Sequence, residues 1–155
     1  MEPQTESSAR IAIFDLLDRR LLKVLSENPQ LIHALNWRTF ERILAGILED
    51  LGYCVELQQG TKDGGIDIIA LRQDSPFGAH RYLVQAKKWS HRVGVAPVRE
   101  LLYLQQQYGA TKACLATTST FTRGAWELER EHWWRLELRD FERLQEWIRL
   151  AASKA

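Results

Sequence analysis

The sequence has almost no net charge, little cysteine and no long apolar run, and each absence removes a class of protein. With 21 Lys and Arg against 20 Asp and Glu the formal charge is +1, so any attraction to a polyanion must come from a local patch. The two cysteines, Cys54 and Cys114, stand alone on apolar runs. Neither has the CxxC or Cys/His spacing that a zinc site requires, and both are expected to be buried, reduced thiols. No run of 18 uncharged residues occurs, and the opening MEPQTESSAR lacks a basic stretch followed by an apolar one. A membrane span and an export signal are not expected, and the expectation is a soluble, cytoplasmic protein. Internal repeats and low-complexity segments are also missing. A chain of 155 residues that is 45% hydrophobic and 26% charged has material for one core and too little for a second domain.

What the sequence does have, between Asp63 and Lys87, is polar residues where packing would not ask for them. Ile66 to Leu71 and Tyr82 to Lys87 are short, mostly apolar runs bounded by Gly, Pro and Asp, the pattern of two strands joined by a connection. Asp67 sits between Ile66 and Ile68 and is expected to point away from the face they share. Gln85 and Lys87, two residues apart, are expected on one face. If the strands are neighbours with those faces aligned, a carboxylate, an amide and an ammonium converge. Such a cluster gains nothing in packing, because buried charge is costly unless paired or bound to something. Singly, Asp67 reads as an edge or turn residue and Lys87 with Lys88 as a strand end leaving the core; together the three read as a site. From Ser75 to Arg99 the chain carries Arg81, Lys87, Lys88, Arg92 and Arg99 and no Asp or Glu. That run is either a solvated face or, beside Asp67, a source of phosphate contacts.

Around this stretch the elements follow from periodicity and caps. Ile11 to Leu25 is amphipathic at helical spacing, and Asn28 with Pro29 reads as the cap and first-turn proline of a short helix to Leu35. Asn36 reads as the cap of a helix whose apolar positions run from Trp37 to Leu51, with Gly52 closing it and Glu41 at the border of its apolar face. Tyr53 to Leu57 is a first strand. Gln58 to Gly65 is a polar turn containing Asp63, which serves as a turn-former or as an auxiliary carboxylate. Pro97 starts a helix to Tyr108, Lys112 to Thr117 is an apolar, central strand, and a helix begins near Thr122. The hydroxyls of Thr117 to Thr120 either cap that helix or meet an anion such as phosphate. Trp134, Leu136 and Leu138 alternate as a fifth strand, and Asp140 caps the last helix. Most of the six tryptophans fall on apolar faces and are expected in the core. The order predicts an α/β fold, an α/β/α sandwich around a mixed five-stranded sheet. Residues 1–36 are expected as a helical extension packed on a core domain of residues 37–151.

DGGIDIIA followed by VQAKKW resembles the Asp, loop, Glu/Asp/Gln-x-Lys pattern of the PD-(D/E)xK nuclease superfamily, and its wording is similar to the Mrr-like restriction endonuclease branch. The resemblance extends to WRTFERILAGILEDLGY from Trp37 to Tyr53, VGVAPVRELL from Val93 to Leu102 and ATTSTFTRGA from Ala116 to Ala125. It covers roughly Trp37 to Ile148. It implies a restriction-endonuclease-like fold and a Mg²⁺-dependent DNA endonuclease of the restriction or defence type, with Mn²⁺ able to substitute. In that family Asp67, the Gln85 side-chain oxygen and the Ala86 backbone carbonyl would hold the metal. Lys87 would orient or help deprotonate the attacking water and stabilise developing charge, and Glu41 would point toward the metal site. Lys88, Trp89, Arg92, Arg99, Thr118 and Ser119 become DNA-binding candidates, and Asp63 an auxiliary carboxylate.

Gln85 departs from the commoner pattern, since most of the superfamily has Glu or Asp there and a neutral amide gives a metal one less negative charge. The Mrr-like branch tolerates glutamine at this place. The 36 residues upstream of Trp37 are too few for the DNA-reading domain that Mrr-like proteins often carry, so a separate protein or domain is a candidate for targeting. Two other readings stand beside the nuclease: a DNA-binding or assembly module that keeps the fold without cleavage, and a nuclease for branched DNA or RNA, because one fold serves many substrates. Cutting both strands with one site would be easiest for a two-fold homodimer.

Overall fold

The computed structural model describes residues 16–58, 65–74 and 76–153. Its longest strand, β3 (Gly78–Lys87), joins two halves of one sheet. On one side β2 (Ile68–Asp74) pairs with it antiparallel, Ile68 opposite Val84, and β1 (Cys54–Leu57) pairs antiparallel with β2. On the other side β4 (Lys112–Thr117) runs parallel to it, Lys87 opposite Thr117, and β5 (Leu136–Arg139) runs parallel to β4. The β2–β3 pair needs only a short hairpin connection, and there Gly78, at φ 84°, adopts a conformation that side chains disfavour. Each parallel pairing needs a crossover. These are the helices α3 (Val95–Gln107) and α4 (Arg123–Glu131). Three more helical segments complete the fold: α1 (Leu16–Glu27) with the 3-10 turn Pro29–Ala34 after it, α2 (Trp37–Asp50) and α5 (Phe141–Ala152).

β4 and the carboxyl half of β3, Leu83–Lys87, are buried on both faces because helices cover them there. Val84, Ala86, Cys114 and Ala116 point to one side, where Phe40, Leu44 and Ile148 meet them. Leu83, Ala113 and Leu115 alternate to the other, against Leu101 and Ala125. Each fully buried Leu, Ile or Phe in these layers contributes about 1.5–3 kcal/mol. The helix starts are set locally. Asn36 accepts from the Thr39 amide (2.8 Å), Thr122 from Ala125 (3.3 Å) and Asp140 from Arg143 (3.0 Å). Two ion pairs fasten α1 to α2: the Arg19 guanidinium forks onto both oxygens of Asp50, and Arg42 meets Asp18. Among the described residues no helix is long and apolar enough to cross a membrane.

Several sequence expectations are corrected. α1 is described from Leu16 onward, and Ile11 to Asp15 lie outside the described residues. Asn28 makes no side-chain cap bond, and the turn after it is 3-10. α3 begins at Val95, two residues before Pro97, a place where proline's missing amide costs nothing. Trp134 is not in β5, because the chain is still turning there: the amides of Arg135 and Leu136 both donate to the His132 carbonyl. None of the six tryptophans is fully buried, and Trp133 and Trp134 are 66% and 56% exposed. Cys54 is exposed on the edge strand, whose Val55 and Leu57 face the core on the other side; Cys114 is buried as expected.

Candidate active site

β3 outruns β2 at its carboxyl end, and the polar cluster forms in the opening. The last paired residue of β2 is Ile68. At Asp67 the chain bends. Its amide still donates to the Val84 carbonyl (3.0 Å) and its carbonyl accepts from Gln58 (2.8 Å). The next amide of β3, that of Ala86, is taken by the Asp67 carboxylate itself at 2.6 Å. The bend also breaks the side-chain alternation, so Ile66 and Ile68 enter opposite cores and do not share the face that regular pleating predicts. The Ala86 carbonyl leaves β3 on the same edge as its amide, toward Asp67.

α2 supplies the second carboxyl. Glu41 is fully buried, deeper than the border position that periodicity suggests. Its Oε1 accepts from Arg38 Nη1 at 2.6 Å, one turn earlier, while its Oε2 is buried with no donor. The Asp67 carboxyl lies within hydrogen-bonding reach of Glu41. Burial first, and then the hydrogen bond and the charge of Glu41, push the Asp67 carboxyl up to about 7, against the opposing pull of the Ala86 amide and the Lys87 ammonium.

Gln85 and Lys87 come from alternate positions of β3. The Gln85 amide donates from Nε2 to the Gly65 carbonyl (3.0 Å), which leaves its Oε1 buried and without a partner. Lys87 is 9% exposed, and its Nζ lies 4.6 Å from the centroid of the Trp89 ring. The structure thus brings Asp67, Glu41, Ala86 and Lys87 together, with Gln85 next to Ala86 in β3 and tied to the Gly65 carbonyl.

The other sequence candidates are placed as follows. Lys88 donates to the His33 carbonyl (2.9 Å), fixing the strand end to the 3-10 turn. Arg92 and Arg99 are exposed, in the loop after β3 and on α3. Thr118 is buried and turns its hydroxyl inward to the Trp89 carbonyl (3.5 Å). The Ser119 amide donates to Thr117 Oγ1 (3.1 Å), and its carbonyl accepts from Phe141 (3.0 Å). Asp63 lies outside the described residues. Arg81 does not share the patch of its neighbours in sequence: six residues of strand, about 20 Å, separate it from Lys87, and it bonds the Tyr108 carbonyl (2.9 Å). Arg38 and the Gly65 carbonyl were not singled out by the sequence. The three-residue spacing of Arg38 and Glu41 on a helix is the signal that would have found the first.

The donor set suits a hard divalent cation. Two buried oxygens lack donors, and burial together with Glu41 pushes the Asp67 carboxyl up to about 7, an arrangement that a cation would relieve. Among the described residues no group of three or more His, Cys, Asp or Glu gathers to hold a metal; here two carboxyls are joined by an amide and a carbonyl.

Comparison with known proteins shows the family and the fold. Residues 32–148 match the family model Mrr_cat, described as restriction endonuclease. A protein of Sinorhizobium fredii (strain NBRC 101917 / NGR234), uncharacterized protein y4cE, is 33% identical over 124 residues, 79% of this chain and 31% of its own length. In fold, the chain is similar to the DNA modification-dependent restriction endonuclease AspBHI (TM-score 0.59, 19% identity, 92% of this chain and 37% of the other). It is also similar to the MspJI restriction endonuclease, solved in complex with a 27-mer oligonucleotide (TM-score 0.57, 18% identity, 86% and 30%). The chain spans about a third of the length of each of these proteins.

Proposed function

The chain belongs to the Mrr catalytic-domain family of restriction endonucleases, within the PD-(D/E)xK fold, and from that premise we propose that it is a Mg²⁺-dependent endonuclease hydrolysing phosphodiester bonds of DNA in a restriction or defence role. Residues 37–151 would form the nuclease domain and residues 1–36 a helical extension. The observation that carries the reading is the set of unsatisfied buried oxygens, Glu41 Oε2 and Gln85 Oε1, beside an Asp67 carboxyl raised to about 7 and a buried ammonium. Buried oxygens without donors beside a carboxyl of raised pKa are a pattern that a bound cation and phosphate would complete.

Asp67, the Gln85 oxygen and the Ala86 carbonyl would hold Mg²⁺, which when bound supplies polarisation of the phosphoryl oxygen. The rest falls to the chain's own groups. Lys87 places a positive charge where negative charge grows on the phosphate, and donates a hydrogen bond that orients the attacking water. Arg38 holds one oxygen of Glu41, leaving the other to accept a proton-bearing ligand in the site. The Gly65 carbonyl fixes the Gln85 amide so that its oxygen, and not its nitrogen, faces the cluster. This orientation supports a working site in which glutamine stands in for the commoner carboxylate. Lys88, Arg92, Arg99, Thr118 and Ser119 are proposed for the DNA backbone. Of these, Arg92 and Arg99 are the freely exposed cations.

Nicking of supercoiled plasmid with Mg²⁺, Mn²⁺ or EDTA tests the proposal. Wild type and Gln85→Glu should cut with either metal and not in EDTA. Asp67→Ala and Lys87→Ala should lose about 10³-fold or more while melting cooperatively. Equal cutting by all four proteins would remove this mechanism. Metal-indifferent DNA binding without cutting would favour a binding module.

A further inference from the structure

Lys87 is buried at the site, yet among the described residues it forms no ion pair with a carboxylate. Three other cations lie over tryptophan rings, Arg38 over Trp37, Arg139 over Trp147 and Arg143 over Trp126. Each of the three also pairs with a carboxylate: Glu41, Glu137 and Glu129. Lys87 has no ion pair and no hydrogen bond among the described residues. Its partner is the Trp89 face, 4.6 Å from Nζ to the ring centroid. The ring is itself fixed. His91 stacks on it at 4.6 Å and 23°, and the loop beyond is tied to the chain after β4 by Val93 to Thr120 (2.9 Å) and Thr122 to Val93 (3.0 Å). A base stacking on Trp89 would have to displace the ammonium or the imidazole, so the ring is poorly placed as a stacking platform for DNA.

We propose that Trp89 is a positioning residue: its indole face holds the Lys87 ammonium at the site in the place where a carboxylate would otherwise stand. The distinction matters chemically. A carboxylate would fix the lysine by neutralising it, and would add a negative charge beside Asp67 and Glu41. An aromatic face attracts the cation through its quadrupole and carries no net charge, so Lys87 keeps its full positive charge for the phosphate. Lysine has four flexible carbons and loses much rotamer freedom when placed; the ring bears that cost before substrate arrives. The proposal rests on the nuclease reading above.

The experiment joins NMR of the full chain, labelled with ¹³C-lysine, to cleavage kinetics. In wild type the Lys87 ε-methylene protons, assigned by their loss in Lys87→Ala, should be shifted upfield by the indole ring current. Trp89→Leu should return them to the ordinary lysine position, and Trp89→Phe should keep most of the shift. In parallel, Trp89→Leu should lower kcat about tenfold with KM and DNA affinity unchanged, and Trp89→Phe should restore most of it. Unshifted Lys87 resonances in wild type, or a raised KM at constant kcat, would overturn the proposal; the second result would make Trp89 a DNA contact. Equal loss of kcat in the Phe and Leu variants would overturn it too. If wild type shows the shifted lysine but cuts no DNA under any condition, the nuclease reading fails and the catalytic role falls with it, while the lysine–indole pairing stands.

Discussion

α2 handles charge in two opposite ways. On its outer side Arg42 and Asp50 meet opposite charges from α1, Asp18 and Arg19, in pairs whose arginines reach solvent and whose carboxylates are mostly covered. On its inner side Glu41, fully buried, meets a second carboxyl, Asp67, and keeps an oxygen with no donor. The outer pairs are what a helix interface selects: modest in energy, about 0–1 kcal/mol each, and sufficient to fix which helix lies where. The inner pair is unfavourable in the protein alone, and persists because the surrounding core over-determines it. Satisfied charges hold the architecture here, and the unsatisfied ones are the candidates for chemistry.

Removing the inner mismatch is the largest test of that contrast. Glu41→Gln keeps an acceptor for Arg38 and deletes the like charge. Activity at limiting Mg²⁺ should fall about 10–100-fold, while the metal-free protein melts at the same temperature or higher. Undiminished activity would show Glu41 to be structural after all.

Next comes pH. The folded Asp67 carboxyl, near 7, lies above the ~4 of an unfolded aspartate. The folded state therefore binds this proton more tightly, and the stabilisation it gives is complete below about pH 4 and lost as pH rises through 7. In EDTA, wild type should lose about 2–4 kcal/mol more than Asp67→Asn between pH 4 and pH 8. Parallel thermal melts of the two proteins across that range would dissolve the inner half of the comparison.

The smallest effect is expected outside. Arg42→Ala should cost up to about 1 kcal/mol in denaturant unfolding and leave plasmid nicking unchanged. A loss of activity there would mean that α1 supports the site and is more than a fastening.

Much of the fold was legible because β4 and the carboxyl half of β3 are buried on both faces. Their apolar runs, and helix caps such as Asn36 and Asp140, are local facts that packing did not override. The nearness of Asp67, Gln85 and Lys87 was legible from strand adjacency and spacing. What escaped depended on neighbours distant in sequence. Regular pleating put Ile66 and Ile68 on one face, but the chain bends at Asp67 once β2 leaves its partner. Hydrophobicity alone put the tryptophans inside, yet Trp133 and Trp134 occupy a turn that no element covers. Cys54 reads as buried until β1 is known to be an edge strand.

Strand order in this sheet is chain order, β1 through β5 without a swap. In folding terms that divides the work unequally. The pairings β1–β2 and β2–β3 close short loops, whereas β3–β4 and β4–β5 each wait for a helix to cross, and loop closure becomes costlier with length. The five residues of the site, Glu41 to Lys87, all belong to α2 and the local half. The part of the chain bearing its most repulsive contact is thus the part that contact order favours to assemble first, before β4 arrives to brace Lys87 from the other side. A cation captured at that stage would act on the folding chain before it acts on any substrate.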